Sequence, residues 1–404
     1  MLVFAANQIG WFHYQGAATA RQPLLPTLCV ACKSFNERGL WRHKPSQNTT
    51  RSSLKYSGCL GFVYSLSKMC VRGDRFSPKR VCTLAYRPIQ RMIVGRPPCR
   101  CLSHARENTV KIGATEIIDT FAEAFRMRFT RLVVTAVNEY WLETAVREVT
   151  GYGTSVIGCD AEIAAEVPIA ASETPDGRPG FAVLAFSFAV ESLAAAMVSR
   201  TGQCLMTCPT TAVFDGLPES ADRIDLGKNL RYFGDGYQKS KLVADRRYWR
   251  IPVMDGEFVV EESLGTGKGV AGGNILILAA NQSQGLDAAR RAVDVVHDLP
   301  GVITPFPGGV VRSGSKVGSR YKKLIASTSH AFCPTLRRRV ETELPDGANC
   351  VYEIVIDGVG ESAVADAMRS AMHAAAGAGV IAISAGNYGG KLGKFHFSLR
   401  DLLK

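Results

Sequence analysis

The sequence predicts an α+β protein with two related ferredoxin-like lobes, in which helices lie on one side of mostly antiparallel sheets. From residue 110 onward, short β-branched runs alternate with segments of helical periodicity. Each half of this region offers two β-α-β units with short connections, and two such units make the split β-α-β arrangement. The chain has 404 residues, which exceeds the length that a single hydrophobic core usually supports, so two lobes are favoured.

The N-terminal lobe is expected over residues 110–262. Three apolar runs predict strands: Arg131–Val137, Phe181–Phe188 and Cys204–Thr207. Asn138 is a favourable N-cap for a helix that Gly151 ends, and Glu191–Ser199 predicts a second helix. A hairpin is predicted from Tyr248 to Glu261, with its turn at Asp255-Gly256.

The C-terminal lobe is expected over residues 263–404, where the pattern repeats. Strands are predicted at Asn274–Ala279, Val302–Thr304, Val351–Ile356 and Val380–Ser384. Helices are predicted at Leu286–Leu299 and Ser362–Ala375, and Ala289, Val293 and Val296 are expected to face the core.

Residues 1–109 differ in composition from the rest of the chain. Residues 1–107 hold 17 Lys and Arg against 3 Asp and Glu, whereas the remainder holds 31 against 33. A transit peptide, a nucleic-acid-binding arm and an upstream reading frame joined by a wrong start are the alternatives. We favour the last and expect no stable fold there. The positive net charge belongs to this extension, so the body of the protein gives no indication of nucleic-acid binding.

Several common classes of function are not supported. Gly267-x-Gly269-x-x-Gly272 matches the dinucleotide-binding pattern, but a predicted strand follows it where that pattern requires a helix. The histidines after residue 110 lack the spacing of a catalytic zinc site. No run of 18 apolar residues occurs, so no membrane span is expected. With these classes unsupported, we expect catalysis by acid–base chemistry of a carboxylate or by simple positioning of the substrates.

Glycine-rich strings occur where they contribute nothing obvious to a core. They are Thr150–Ser155, Tyr232–Gln238, Pro305–Gly309, Ser315–Ser319 and Ser384–Lys391. Together with Asp119–Phe125, Glu173–Gly180, Gly269–Asn274 and Cys350–Val355, they resemble the formylmethanofuran:tetrahydromethanopterin formyltransferases. The similarity runs in order through residues 110–404.

This resemblance implies an enzyme that reversibly transfers a formyl group between the amine of methanofuran and N5 of tetrahydromethanopterin. The five scattered cysteines after residue 107 predict ordinary buried thiols in a reducing cytoplasm. The resemblance implies no metal or prosthetic group, since the two carriers are co-substrates. It further implies a homo-oligomer, a tetramer, with the active cleft near subunit contacts. In bacteria a similar subunit works with hydrolase partners in formaldehyde oxidation.

The resemblance also assigns site residues, because the family's proposed general acid/base glutamate falls on Glu353. On the predicted strand, Glu353 shares a face with Val351 and Val355, so we expect partial burial and a raised pKa, which suits proton transfer. The alternative is an edge glutamate paired with an arginine.

The glycine loops are the expected binding segments, because backbone without a Cβ can approach a flat pterin or an extended methanofuran closely. The candidate contacts are Phe233, Gly234, Asp235, Gly236, Tyr237, Pro305, Phe306, Pro307, Gly308, Gly309, Ser315, Lys316, Gly386, Asn387, Tyr388, Gly389, Gly390 and Lys391. Lys316 and Lys391 would meet carboxylates or phosphate on the carriers. The alternative for each loop is a plain turn between strands. For the whole chain, the alternative is a non-catalytic assembly subunit that docks a hydrolase.

Overall fold

A computed structural model of the chain describes residues 110–404. The expected extension, residues 1–109, lies outside the described residues. Five α-helices are present in the described part: α1 Glu139–Thr150, α2 Val190–Arg200, α3 Gly227–Leu230, α4 Gln282–His297 and α5 Glu361–Ala375. None of them is long and apolar enough to cross a membrane.

Ten strands form the first part of the fold. They are β1 Val110–Ile112, β2 Thr115–Ile117, β3 Phe121–Thr135, β4 Glu162–Ile169, β5 Gly180–Ser187, β6 Ala212–Asp215, β7 Arg223–Asp225, β8 Lys239–Val243, β9 Arg246–Val253 and β10 Gly256–Glu261. Seven follow: β11 Ser263–Ala279, β12 Val302–Ile303, β13 Lys316–Val317, β14 Ala326–Ser327, β15 Cys350–Gly358, β16 Val380–Ser384 and β17 Phe395–Ser398.

The predicted ferredoxin-like lobes are confirmed by the strand order. In the first lobe, β3, β4, β5 and β6 are arranged as β6-β3-β5-β4, and every neighbouring pair is antiparallel. In the second lobe, β11, β12, β15 and β16 repeat this order as β16-β11-β15-β12. Each lobe therefore has its fourth strand beside its first, as two consecutive β-α-β units require.

Helices cover one face of each four-stranded unit. In the second lobe Tyr352, Ile354 and Ile356 of β15 are buried together with Ala289, Val293 and Val296 of α4, all of them in one core with α5. In the first lobe α1 and α2 pack with Leu132, Val134 and Val183 in a separate core. Period-two alternation therefore leaves Val351, Glu353 and Val355 on the face of β15 away from the helices.

The two lobes share one sheet, which the sequence did not predict. Residues 125–130 of β3 pair antiparallel with residues 266–271 of β11, which joins both units in a fifteen-stranded sheet. On its other edge β11 pairs with β15, with an irregularity between Val270 and Gly273, and Val270 pairs with both Arg126 of β3 and Gly358 of β15. Gly272 adopts φ +91°, and a Cβ on Gly273 would lie 2.3 Å from a methyl group of Val364 in α5. Glycine is needed here because the strand bends where the helix approaches closely.

Local signals placed most elements correctly. Asn138 caps α1 by accepting a hydrogen bond from the Trp141 N–H at 3.2 Å. The predicted hairpin forms, but its turn lies at Met254-Asp255, one residue before the predicted Asp255-Gly256, because Gly256 already pairs with Val253. The predicted strand Cys204–Thr207 is wrong. Residues Thr201–Leu205 instead continue α2 as a π-helical turn, and the strand β6 follows later. A four-residue apolar run cannot by itself distinguish a strand from the buried end of a helix.

Buried carboxyl groups join the lobes. Glu162 of β4 and Asp357 of β15 face each other across the junction, and Asp357 also accepts the Gly272 N–H at 2.8 Å. Burial raises the pKa of both carboxyl groups, and the charge of Glu162 raises that of Asp357 further. A buried acid pair without a cation retains a proton, so this contact is a carboxyl–carboxylate hydrogen bond rather than a repulsive pair of charges.

Candidate functional site

Glu353 lies near the middle of β15, between β11 on one side and Val311 of a loop on the other. Leu276 of β11 is its partner on one side. On the other side Glu353 and Val311 exchange backbone hydrogen bonds of 3.0 and 2.8 Å. Leu276 in turn pairs with Ser384 of β16, so Glu353, Leu276 and Ser384 form one row across three strands, and β16 ends at Ser384. Residues that pair directly across strands point to the same face, so this row places Glu353 on the helix-free face beside two loops.

Burial sets the proton affinity of this carboxyl group. The Glu353 side chain is only partly accessible to solvent, with Val351 and Val355 on the same face of its strand. Burial raises its pKa from 4.5 to about 7. The expected partial burial and raised pKa are therefore confirmed. A carboxyl group with this pKa holds a proton about half the time at neutral pH, so it can both accept and donate one.

Tyr388 lies near enough to Glu353 for the charge of that carboxylate to affect its phenol. Burial raises the pKa of its phenol, and the negative charge of Glu353 raises it further, while the Ser315 side chain acts in the opposite direction. Tyr388 and Ser315 come from different loops, residues 386–393 and 312–315. The structure thus brings together three of the predicted site residues, Glu353, Ser315 and Tyr388. A titratable carboxyl, a phenol and a hydroxyl on one face can position a carbonyl group and move protons around it.

The loop of residues 386–391 begins on the same face as Glu353. Asn274 of β11 fixes its start, accepting the Gly386 N–H at 2.6 Å and donating to the Gly386 carbonyl at 3.2 Å. Asn387 donates to Thr120 and to the Phe121 carbonyl, both at 3.2 Å. Gly389 and Gly390 have φ near +70°, where other residues are strained. Lys391 is exposed at the end of this loop.

The loop of residues 305–309 has a packing role. Gly309 is buried with φ +74°, and a Cβ there would lie 2.6 Å from Val293 of α4 and 2.8 Å from the Thr304 hydroxyl. Pro305 is buried, and Pro307 and Gly308 are exposed. The tight turn at Gly308-Gly309 brings Val311 back to pair with Glu353. Whether this loop also contacts a carrier stays a prediction.

The segment of residues 233–237 lies elsewhere in the chain. It packs against β9, the fifth strand from β15 along the sheet, so about 24 Å separates them at the usual strand spacing. Phe233 and Tyr237 expose 54% and 78% of their surface, and Asp235 adopts a left-handed conformation at its turn. The structure does not bring this segment to the Glu353 site of the same subunit.

Glu123 is a site residue that the sequence interpretation missed. It belongs to β3, is almost fully buried, and accepts hydrogen bonds from the backbone of the 386–393 loop. The available signal was a carboxylate between two alanines, Ala122 and Ala124, inside a string that carried the family resemblance.

No metal site competes with this position in the part of the chain that the structure describes. Within residues 110–404 no group of three His, Cys, Asp or Glu side chains is arranged to hold a metal ion. A shallow depression lined by Arg128, Val190, Asp222, Arg223 and Thr266 contains none of the predicted site residues. The chemistry of Glu353, rather than the shape of that depression, identifies the candidate site.

The raised pKa of Glu353 predicts that Glu353→Gln stabilises the protein above pH 7. Between pH 4.5 and about 7 the folded state keeps a proton that the unfolded state has released, so stability falls as pH rises through this interval. Glutamine is neutral throughout, so unfolding in urea at pH 8 should require about 1–3 kcal/mol more for the variant, with little difference at pH 4. The exposed Glu341→Gln is the control. Equal stability of Glu353→Gln and wild type at pH 8 would contradict a raised pKa.

Comparisons with known proteins give consistent results. The family model described as "Formylmethanofuran-tetrahydromethanopterin formyltransferase" matches residues 110–253, and "FTR, proximal lobe" matches residues 256–402. A protein of Methylobacillus flagellatus named formylmethanofuran–tetrahydromethanopterin formyltransferase is 52% identical over 299 residues, which cover 72% of this chain and 99% of that protein.

Two solved structures are also similar. The formylmethanofuran:tetrahydromethanopterin formyltransferase from Methanosarcina barkeri is 46% identical with a TM-score of 0.70, over 72% of this chain and 100% of its own. A chain of the formyltransferase/hydrolase complex from Methylorubrum extorquens, solved in complex with methylofuran, is 47% identical with a TM-score of 0.71. That similarity covers 74% of this chain and 99% of the other.

Proposed function

The chain belongs to the formylmethanofuran–tetrahydromethanopterin formyltransferase family, and we propose that it transfers a formyl group between these two carriers with Glu353 as the acid–base group. The observation that carries this mechanism is the carboxyl of Glu353, half-buried on the helix-free face of β15 with a pKa of about 7. Methanofuran and tetrahydromethanopterin are its co-substrates.

The reaction exchanges one carbon–nitrogen bond for another. The N5 amine of the pterin attacks the formamide carbon of formylmethanofuran, which gives a tetrahedral intermediate with a negative oxygen. The ionised carboxylate of Glu353 takes the proton from the attacking nitrogen. The resulting acid then protonates the methanofuran nitrogen as its bond to carbon breaks. A single carboxyl group with a near-neutral pKa serves both steps and is regenerated in its starting form, in either direction of transfer.

Tyr388 and Ser315 are assigned to the developing oxyanion. A neutral phenol and a hydroxyl are hydrogen-bond donors, and donors held in place at a partly buried site stabilise charge that forms in the transition state. The raised pKa of Tyr388 keeps its phenol protonated, as a donor must be. The loop of residues 386–391, with Lys391 at its exposed end, is assigned to carrier binding, as are Lys316 and residues 305–309.

Assembly is part of the proposal. The chain is assigned to a homo-oligomer, a tetramer as the family resemblance implies. A group of exposed aromatic side chains, Tyr232, Phe233 and Tyr237, on the edge far from β15 supports a subunit interface there. Their position would allow residues 233–237 to complete the site of a neighbouring subunit. The Methylorubrum relative occurs in a complex with hydrolase subunits, which supports hydrolase partners for this chain. Five free cysteines in the described part fit the cytoplasm. A role in formaldehyde oxidation stays a prediction.

A spectrophotometric assay of the purified full-length chain tests the activity. With formylmethanofuran and tetrahydromethanopterin supplied together, the chain alone should form the 5-formyl pterin, and either carrier alone should give no change. The alternative, a non-catalytic assembly subunit, predicts no turnover until other subunits are added. No turnover by the correctly folded chain would therefore reject the enzyme assignment.

A further inference from the structure

Glu123 makes an unusual set of contacts for a buried carboxylate. Its side chain is 1% exposed, on the part of β3 that pairs with β17. Oε2 accepts the N–H groups of Tyr388 at 2.7 Å and Gly390 at 2.9 Å. Oε1 accepts those of Leu392 at 2.6 Å and of Gly393. A single carboxylate thus accepts four backbone hydrogen bonds from one short loop.

Through these contacts the backbone of the loop folds around the Glu123 carboxylate. Burial raises the pKa of Glu123, but the four backbone N–H donors outweigh burial and hold the pKa below its ordinary value. The group therefore stays ionised at neutral pH without a cation. Four charge-assisted hydrogen bonds converging on one buried anion fix the backbone between Tyr388 and Gly393 much more strongly than turn residues alone.

The loop so fixed carries the phenol of Tyr388 to Glu353. The backbone N–H of Tyr388 is bound by Glu123, while its phenol lies close enough to Glu353 for that carboxylate to raise the phenol's pKa. Gly389 and Gly390 follow Tyr388, and their positive φ lets the chain curl around the Glu123 carboxylate. Glu123 therefore binds the backbone of Tyr388, while Glu353 affects the phenol of the same residue.

We propose that Glu123 is a positioning residue for formyl transfer, which fixes the loop of residues 386–393 so that Tyr388 stays near Glu353 and this loop keeps water away from it. This inference rests on the function proposed above. It assigns Glu123 no contact with either carrier. Its effect passes through Tyr388, so it should alter the environment of Glu353 as well as the rate.

Glu123→Gln tests the proposal in the full-length protein. An amide offers one oxygen in place of two, so its NH₂ group would face two of the N–H donors and the loop would move away. A displacement of about 1 Å at a reacting group lowers turnover by up to about 100-fold. We expect kcat to fall about 10–100-fold, and the pKa of about 7 in the pH profile of kcat to decrease, because water then reaches Glu353.

Two further variants separate this role from a structural one. Glu261→Gln alters another buried carboxylate, 2% exposed, which binds Arg246 and the Asp215 N–H in the first lobe. It should affect stability and leave the pKa in the kcat profile unchanged. Glu123→Asp retains the charge and both oxygens, so its kcat should lie between those of Glu123→Gln and wild type. If Glu123→Gln does not fold, Glu123→Asp is the variant that tests the positioning role.

An unchanged pH profile in Glu123→Gln would overturn the proposal whatever the rate. Where only Glu123→Asp folds, a wild-type kcat together with a wild-type pH profile would overturn it. Glu353→Gln, measured in parallel, distinguishes a failure of the positioning role of Glu123 from a failure of the mechanism proposed for Glu353. If Glu353→Gln is inactive while Glu123→Gln behaves as wild type, only the positioning role fails. If Glu353→Gln remains active, the mechanism proposed for Glu353 fails instead.

Discussion

Glu353→Gln is expected to lower kcat by about 10²–10⁴-fold, because positioned acid–base groups usually contribute this much. Glutamine has nearly the same shape as protonated glutamic acid, so the sheet and the binding of both carriers should be retained. The loss should therefore appear in kcat with little change in KM, which identifies an interaction used in the transition state.

The pH dependence gives a second measure of the same group. In the wild-type protein kcat should follow a titration with a pKa near 7, which burial of Glu353 produces. Residual activity of Glu353→Gln should lack this titration. The exposed Glu341→Gln, in the same lobe, should retain both the rate and the profile. Activity of Glu353→Gln within about threefold of wild type would remove Glu353 from the mechanism.

Loss of the Glu166 side chain should cause a large decrease in stability. Glu166 of β4 is buried and accepts hydrogen bonds from Arg131 of β3, with Nε at 2.7 Å. It also accepts the N–H of Gly301 in the second lobe at 2.6 Å. Glu166→Ala would leave a buried N–H and a partly buried guanidinium without a partner, which costs about 2–4 kcal/mol. Urea unfolding of the full-length protein measures this loss.

A matched exposed pair provides the control for that measurement. Asp222 pairs with Arg128 at 2.8 Å, but the Asp222 side chain is 67% exposed. Because water replaces the lost contact, Asp222→Ala should change the free energy of unfolding by about 0–1 kcal/mol. If Glu166→Ala and Asp222→Ala had equal effects, the contact between Glu166 and Gly301 would not help to hold the lobes together.

The sequence by itself determined the local architecture. The β-α-β repeats, the cap at Asn138 and the Tyr248–Glu261 hairpin depend on residues a few positions apart, and the structure retains them, with the hairpin turn shifted by one residue to Met254-Asp255. Alternation along Val351–Ile356 also placed Glu353 on one face of its strand with Val351 and Val355. Such features are predictable because side-chain periodicity and capping are properties of short segments.

Tertiary structure decided the features that depend on distant segments. The pairing of β3 with β11, the end of α2 in a π-helical turn and the separation of residues 233–237 from Glu353 could not be derived from local pattern. The role of Glu123 is the clearest case, because its partners lie more than 260 residues away along the chain. Whether a carboxylate is an ordinary charge or the anchor of a loop depends on which backbone donors the fold brings to it, and a single sequence does not contain that geometry.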